Sequence, residues 1–322
     1  MKNRIRIISN LLLLLTALIW GAAFVAQSVG MKYVGPWTFV FSRFLIAGIL
    51  LIPVVKFSKP IYESSNPSDC DVTAGNLTDS IGNMSRKKKL QKVREAVIAG
   101  ISCGFFLGTA SILQQIGIQY TTVGKAGFIT ALYVIIVPMI GLLLGKKIPG
   151  RVWAGAVLAI SGFYLLCMKG SFRIEMGDAL ILGCAILFSF QIMCVDYFSS
   201  RCNPVMISCV QFFMASFVGL IGMLIFENIN LQNILDAAAP ILYAGVMSSA
   251  VGYTLQIVAQ KNTDPAIASL IMSLESVFSA LAGWLILHQH LSSRELYGCT
   301  LVFAAVIIAQ LPLSEIFLKD KK

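Results

Sequence analysis

The sequence predicts an all-α integral membrane protein of ten transmembrane helices, arranged as two inverted five-helix repeats. Three observations point there. Of the 322 residues 57% are hydrophobic and only 12% are charged. A soluble domain carries about 25% charged residues, so half that density leaves too little polar material to coat a water-exposed surface. Apolar stretches of spanning length, roughly 20 residues for ~30 Å of hydrocarbon, recur along the chain with short polar turns between them. The two halves also resemble each other weakly. With five spans in each, the second copy must enter the membrane from the opposite side.

The first span is expected at residues 9–30. Lys2, Arg4 and Arg6 ahead of Leu11–Leu15 have the charge pattern of a signal peptide, but the apolar run continues to about Val29. That length reads as a retained span. Further spans are expected at 36–56, 95–119, 122–144, 149–168, 178–199, 204–226, 237–260, 265–287 and 294–313. Gly35-Pro36, Lys146–Gly150, Asn203-Pro204 and Asp264-Pro265 leave so little chain between neighbours that the helices must fold as antiparallel hairpins. Residues 57–94 break this economy. Rich in Ser, Asn, Asp and Gly, they are expected to form a disordered cytoplasmic loop. The repeats then cover residues 1–170 and 171–322.

Basic residues set the orientation. With the N-terminus inside, nineteen Lys and Arg fall in cytoplasmic segments and five in segments on the other side. The positive-inside rule therefore predicts a multi-pass protein of the cell membrane with both termini cytoplasmic. The same asymmetry accounts for the net charge of +10 without a nucleic acid partner. Eight cysteines include no C-x-x-C pair, so zinc and redox pairs lack support. Cysteines in apolar runs are read as small hydrophobes.

The internal likeness rests on particular residues. At an offset of 168, Trp20 meets Phe188, Pro36 meets Pro204, and Arg43-Phe44 meets Gln211-Phe212. At 141, Gln115, Gln119 and Thr122 meet Gln256, Gln260 and Thr263. Inverted repeats suit a secondary transporter, with its site between the copies near mid-membrane.

Polar residues inside spans mark candidate substrate contacts, because ionisable groups there cost at least ~2.5 kcal/mol unless they face a cavity or a partner. Arg43, in the second span, is either a fixed cation for a carboxylate or phosphate or a structural lock that pairs with backbone carbonyls or snorkels to the outer interface. Glu275 lies near the centre of the ninth expected span. It either binds a substrate amine or exchanges a proton, or it ties that span to a neighbour. Tyr253, Gln256 and Gln260 share one helical face, as do Ser111, Gln115 and Gln119. These stripes line a hydrated path or act as interhelical glue. Gln191 and Gln211 are further candidates, and Trp20 and Tyr133 are aromatic groups that either stack on a substrate or pack the helices together.

"ALIWGAAFV" (Ala17–Val25), "FSRFLIAGILL" (Phe41–Leu51), "KAGFITALYVIIVPMIGLLLG" (Lys125–Gly145) and "LESVFSALAGWLIL" (Leu274–Leu287) together resemble EamA-type permeases of the drug/metabolite transporter superfamily. The resemblance implies ten spans in two five-helix repeats and transport of a small polar or amphipathic metabolite, an amino-acid-like compound or a drug, by alternating access. The expected partners are the substrate and the lipid bilayer, with protons as a candidate coupling ion that the sequence leaves open. No ATP-binding signature is present, and no nucleophile–base constellation or cofactor site is expected. His288 and His290 lack the nearby carboxylates of a metal site. Two other classes stay open: a non-transporting receptor or assembly protein, and a membrane-embedded enzyme.

Overall fold

The computed structural model describes residues 2–57, 78–121, 123–167, 175–287 and 292–310. Every regular element among them is a helix. Eight helical stretches are long and apolar enough to cross a membrane, and two shorter apolar helices, Gly150–Leu165 and Leu296–Ala309, stand at the expected fifth and tenth places.

In chain order the elements are α1 (Lys2–Gly30), α2 (Pro36–Phe57), α3 (Thr78–Ile118), α4 (Val123–Thr130), α5 (Tyr133–Leu143), α6 (Gly150–Cys167), α7 (Met176–Ser199) and α8 (Pro204–Phe226). There follow α9 (Leu231–Asp236), α10 (Ala238–Leu242), a π-helical segment (Tyr243–Tyr253), α11 (Thr254–Gln260), α12 (Pro265–Met272), α13 (Glu275–Leu287) and α14 (Ser293–Gln310). Three departures from the sequence reading matter. The segment expected to be disordered is helical from Thr78 to residue 94, as an extension of α3. Residues 58–77 lie outside those described. Once the apolar part of α3 has nucleated, each added Lys, Arg, Leu or Gln extends the helix at little cost. The fourth and ninth spans are each broken in two, and the eighth contains the π-helical segment. His288 and His290 lie outside the described residues.

Helix starts follow from local chemistry. Proline opens α2, α8 and α12, where its missing N–H costs nothing. Asn203 accepts from Val205 N (2.9 Å) and Met206 N (3.3 Å), and Asp264 accepts from Ala266 N (2.9 Å). The start of α2 has a distant cap instead. Glu227, just past the end of α8, accepts from Trp37 N (2.8 Å), Thr38 N (2.9 Å) and the Thr38 hydroxyl (2.6 Å). An anion at a helix N-terminus is favoured by the free amides and the macrodipole. Gly35 makes room for it, since a Cβ there would stand 2.2 Å from the Glu227 carboxylate.

Packing gathers these helices around a centre. α6 lies on α14, α2 on α8, and α3 on both α7 and α8. α1 runs against α12, α13 and the π-helical segment, while α4 and α5 pack on α7. Large side chains such as Leu13, Phe44, Leu107, Phe163 and Phe212 are fully buried in one continuous core. The outer faces expose Leu, Ile and Phe, as lipid contact requires.

Glu227→Ala should lower stability by about 1–2 kcal/mol, the usual scale of a lost N-cap. Thermal unfolding in detergent checks this, and an unchanged midpoint would show that α2 needs no cap.

Candidate functional site

A small, partly enclosed cavity lies inside the bundle. α1 supplies Trp20, Ala23, Phe24 and Gln27 to its wall, α2 supplies Arg43, and α3 supplies Gln114. Tyr133 enters from α5, Phe188, Gln191 and Ile192 from α7, and Gln256 from α11. Ser248 and Tyr253 belong to the π-helical segment, and Glu275 to α13.

Two helix breaks build its charged part. α4 and α12 are both eight residues long, and α5 and α13 restart after a two-residue gap in each case. Tyr133 and Glu275 are the first residues of the restarting helices, and the Tyr133 hydroxyl donates to Glu275 Oε1 at 2.9 Å across 142 residues of sequence. Tightened turns make the breaks. Leu132 N bonds Ile129 O at 3.2 Å, and Leu274 N bonds Ile271 O at 3.2 Å, one residue short of the α-helical partner. In the ninth span four buried hydroxyls reinforce the turn. Ser269, Ser273, Ser276 and Ser279 each donate to the carbonyl three residues back, at 2.7–2.9 Å. Such back-bonding bends helices. Glu275 therefore sits at a helix start, where the macrodipole favours a carboxylate, and not in the middle of a continuous helix as its sequence position suggests.

Arg43 is only 1% exposed, so its cation is held inside the protein. One terminal nitrogen donates to Ser111 Oγ at 3.2 Å, and the guanidinium carbon lies 4.4 Å from the Phe44 ring centre. Its Nε has no partner. The ion pairs among the described residues are Lys125–Asp178 and Lys146–Asp196. Arg43 and Glu275 thus face one cavity without being joined as a pair.

The π-helical segment shapes the remaining wall. A wider turn leaves carbonyls open to side-chain donors, and π-helical turns are rare outside functional regions. Trp20 Nε1 donates to Ser248 O at 3.0 Å, Thr16 Oγ1 to Gly252 O at 3.4 Å, and the Tyr243 hydroxyl to Ile19 O at 3.2 Å. Three side-chain bonds therefore clamp α1 to this segment. The Trp20 and Tyr253 rings lie 4.5 Å apart, forming an aromatic wall. Gln256 donates to Gln191 at 3.2 Å and Gln114 to Thr130 at 3.1 Å. Gln27 Oε1, Gln191 Nε2 and Gln256 Oε1 are buried without partners. Buried polar atoms are normally satisfied, so a wall carrying several open ones is suited to water or a polar ligand.

Seven residues singled out from the sequence line this cavity: Trp20, Arg43, Tyr133, Gln191, Tyr253, Gln256 and Glu275. Gln115 and Gln211 do not. Gln115 is fully buried and donates to Gln27 O at 3.3 Å, while its neighbour Gln114 faces the opening. Gln211 is fully buried in the α8 interface with both amide atoms unpartnered. Sequence reasoning missed Ala23, Phe24, Gln27, Gln114, Phe188, Ile192 and Ser248. Gln27 and Gln114 could have been found as polar groups inside apolar runs. The others carry no distinguishing signal.

The model of the EamA-like transporter family matches residues 7–168 and again residues 175–310. The chain belongs to the EamA-like transporter family. An uncharacterized transporter of Archaeoglobus fulgidus is 29% identical over 311 residues, covering 95% of this chain and 87% of that protein. A second uncharacterized transporter of the same organism is 22% identical over 291 residues, covering 87% and 90%. One solved structure, described only as the crystal structure of a protein, superposes with a TM-score of 0.70 at 15% identity over 96% of this chain and 98% of that one. At that identity the likeness speaks for the fold alone. The EamA-like chain is thus a multi-pass membrane transporter, and its family points away from an enzyme.

Tyr133→Phe and Glu275→Ala should be coupled in stability. Removing the phenol hydroxyl leaves a buried acceptor open, at about 1–3 kcal/mol. In the double variant the two losses should fall short of their sum by at least ~0.5 kcal/mol. Thermal unfolding of the four proteins measures the cycle, and strict additivity would contradict the bond.

Proposed function

We propose that this protein is a secondary transporter that moves a small amino-acid-like metabolite across the cell membrane by alternating access. The substrate sits in the central cavity, its carboxylate at Arg43 and its ammonium at Glu275. One observation carries the reading: a buried guanidinium and a buried carboxyl line the same cavity and are not paired with each other. Each buried charge needs a partner, and a zwitterion supplies both at once. Trp20 and Tyr253 flank the apolar part of the substrate, and Gln191 and Gln256 contact its polar edges. Protons are the coupling ion in this reading, exchanged at Glu275 when substrate leaves.

Alternating access follows from an inverted repeat, residues 1–170 against 171–322. Support comes from the two separate family matches and from paired features of the helices. Prolines open α2 and α8, and the equal-length helices α4 and α12 both end in a break. The separation of Tyr133 from Glu275 also separates Val123 from Pro265. In this scheme α6 and α14 are the fifth and tenth spans. Two inversely oriented copies give an outward and an inward state of similar energy, with the Tyr133–Glu275 bond joining the two breaks.

Counterflow in proteoliposomes, screened over small zwitterions, cations and anions, tests the reading. Saturable exchange of a zwitterion is expected. Hydrogen bonds to charged groups stabilise by about 1.5–3 kcal/mol, so Arg43→Gln and Glu275→Gln should each weaken half-saturation by roughly 10–100-fold. Exchange at the wild-type level in both variants would sink the assignment of these residues.

Orientation is proposed on the basic-residue asymmetry, with both termini and residues 57–94 in the cytoplasm. A cysteine placed in that segment should resist an impermeant thiol reagent on intact cells and react after permeabilisation. Ready labelling of intact cells would reverse the orientation.

A further inference from the structure

A second, open pocket lies at the end of the bundle where α5, α7 and α11 finish. Its wall includes Lys146, Asp196, Arg201, Gln260, Lys261 and Thr263. Gln260 connects it to the centre. Its amide donates to Ile192 O at 3.4 Å, and Ile192 lines the central cavity. One turn earlier on the same helix, Gln256 lines that cavity and donates to Gln191. A file of buried polar groups therefore runs outward between α7 and α11, from Gln191 and Gln256 through Gln260 to Thr263. Each is less than a tenth exposed, and each carries an atom without a partner: Gln191 Nε2, Gln256 Oε1, Gln260 Oε1 and Thr263 Oγ1. Interhelical glue would consume these atoms in bonds between helices. A run of open ones along a single seam fits a path that water or substrate wets in part of the cycle.

At the outer end of the seam an ion pair joins Lys146 Nζ to Asp196 Oδ2. Its partners come from different halves of the chain. Lys146 is aimed by the turn that ends α5, where Gly145 adopts φ 77° and Lys146 N bonds Gly141 O at 2.9 Å, a glycine-terminated helix end. Asp196 stands in the last turn of α7. Joining them ties the end of the fourth span to the end of the sixth across the pocket. We propose that the seam between α7 and α11 is the route between the central cavity and the face bearing Ser200 and Lys261, and that the Lys146–Asp196 pair is the gate on it. The proposal rests on the transport reading above and names the path and gate of that same site.

Modification of a cysteine at Gln260→Cys by a charged thiol reagent tests this in the purified full chain, without substrate. The rate is read at the peptide carrying residue 260 by mass spectrometry, and Asn262→Cys, exposed on the same turn, is the control. Breaking a partly exposed ion pair shifts an equilibrium by roughly two- to fivefold. Asp196→Asn and Lys146→Gln should each raise the rate at 260 by that factor and leave the rate at 262 unchanged. Exchanging the charges, Lys146→Asp with Asp196→Lys, should restore the original rate. Equal rates at 260 in wild type and both single variants would overturn the gate. So would a parallel rise at 262, or an exchanged pair as reactive as the single variants. Because labelling needs no transported compound, failure here is distinct from failure of counterflow.

Discussion

Hydrocarbon offers no hydrogen-bond partner to a backbone amide or to a side chain, and most of this structure is an answer to that constraint. A continuous helix satisfies itself. An interrupted one has to be served from inside the protein, so irregular backbone can exist only where other elements surround it. Here the breaks in the fourth and ninth spans and the π-helical segment of the eighth all border the same cavity. Serine hydroxyls fold back on the ninth span, and Trp20, Thr16 and Tyr243 tie α1 to the π-helical segment. The irregular backbone and the polar side chains occur together because each makes the other tolerable.

The position of Glu275 shows the consequence. In an unbroken helix its carboxyl would meet only side chains, and burying it would be costly. At the start of α13 it gains the macrodipole of a helix N-terminus and the Tyr133 hydroxyl. The same two features leave the carboxyl able to face a ligand, since neither consumes a counter-charge. Arg43 is held in a comparable way by Ser111 and the face of Phe44, both uncharged. Neutral support for a guanidinium and a carboxyl keeps both available.

Much of this was legible in the sequence, and the parts that were not have physical reasons. The bilayer imposes one length and one polarity on every span, so apolar windows bounded by Gly35-Pro36, Asn203-Pro204 and Asp264-Pro265 located most helices to within a residue or two. Intramembrane Arg43 and Glu275 stood out because so little else in the spans is charged. Helix faces were harder. Gln114 and Gln115 differ by about 100° around α3, and hydropathy cannot say which of two adjacent glutamines looks inward. The π-helical segment also alters the turn of the eighth span up to Tyr253, so the spacing of three and four residues from Tyr253 to Gln260 does not by itself fix a face. The breaks at 131–132 and 273–274 have no strong breaker at the gap itself. The second of them is reinforced by Ser273 and Ser276 bonding backward, a choice that becomes favourable only once the site is buried.

The central claim is that the cavity beside the two helix breaks holds the substrate. Trp20 gives the most direct measurement, because its ring forms part of the wall. With Trp37, Trp153 and Trp284 replaced by Phe, the remaining fluorescence reports on that wall alone. Titration with the transported compound should give a saturable change whose midpoint matches half-saturation of counterflow. Undiminished transport with no change in Trp20 emission would place the substrate elsewhere and contradict the account.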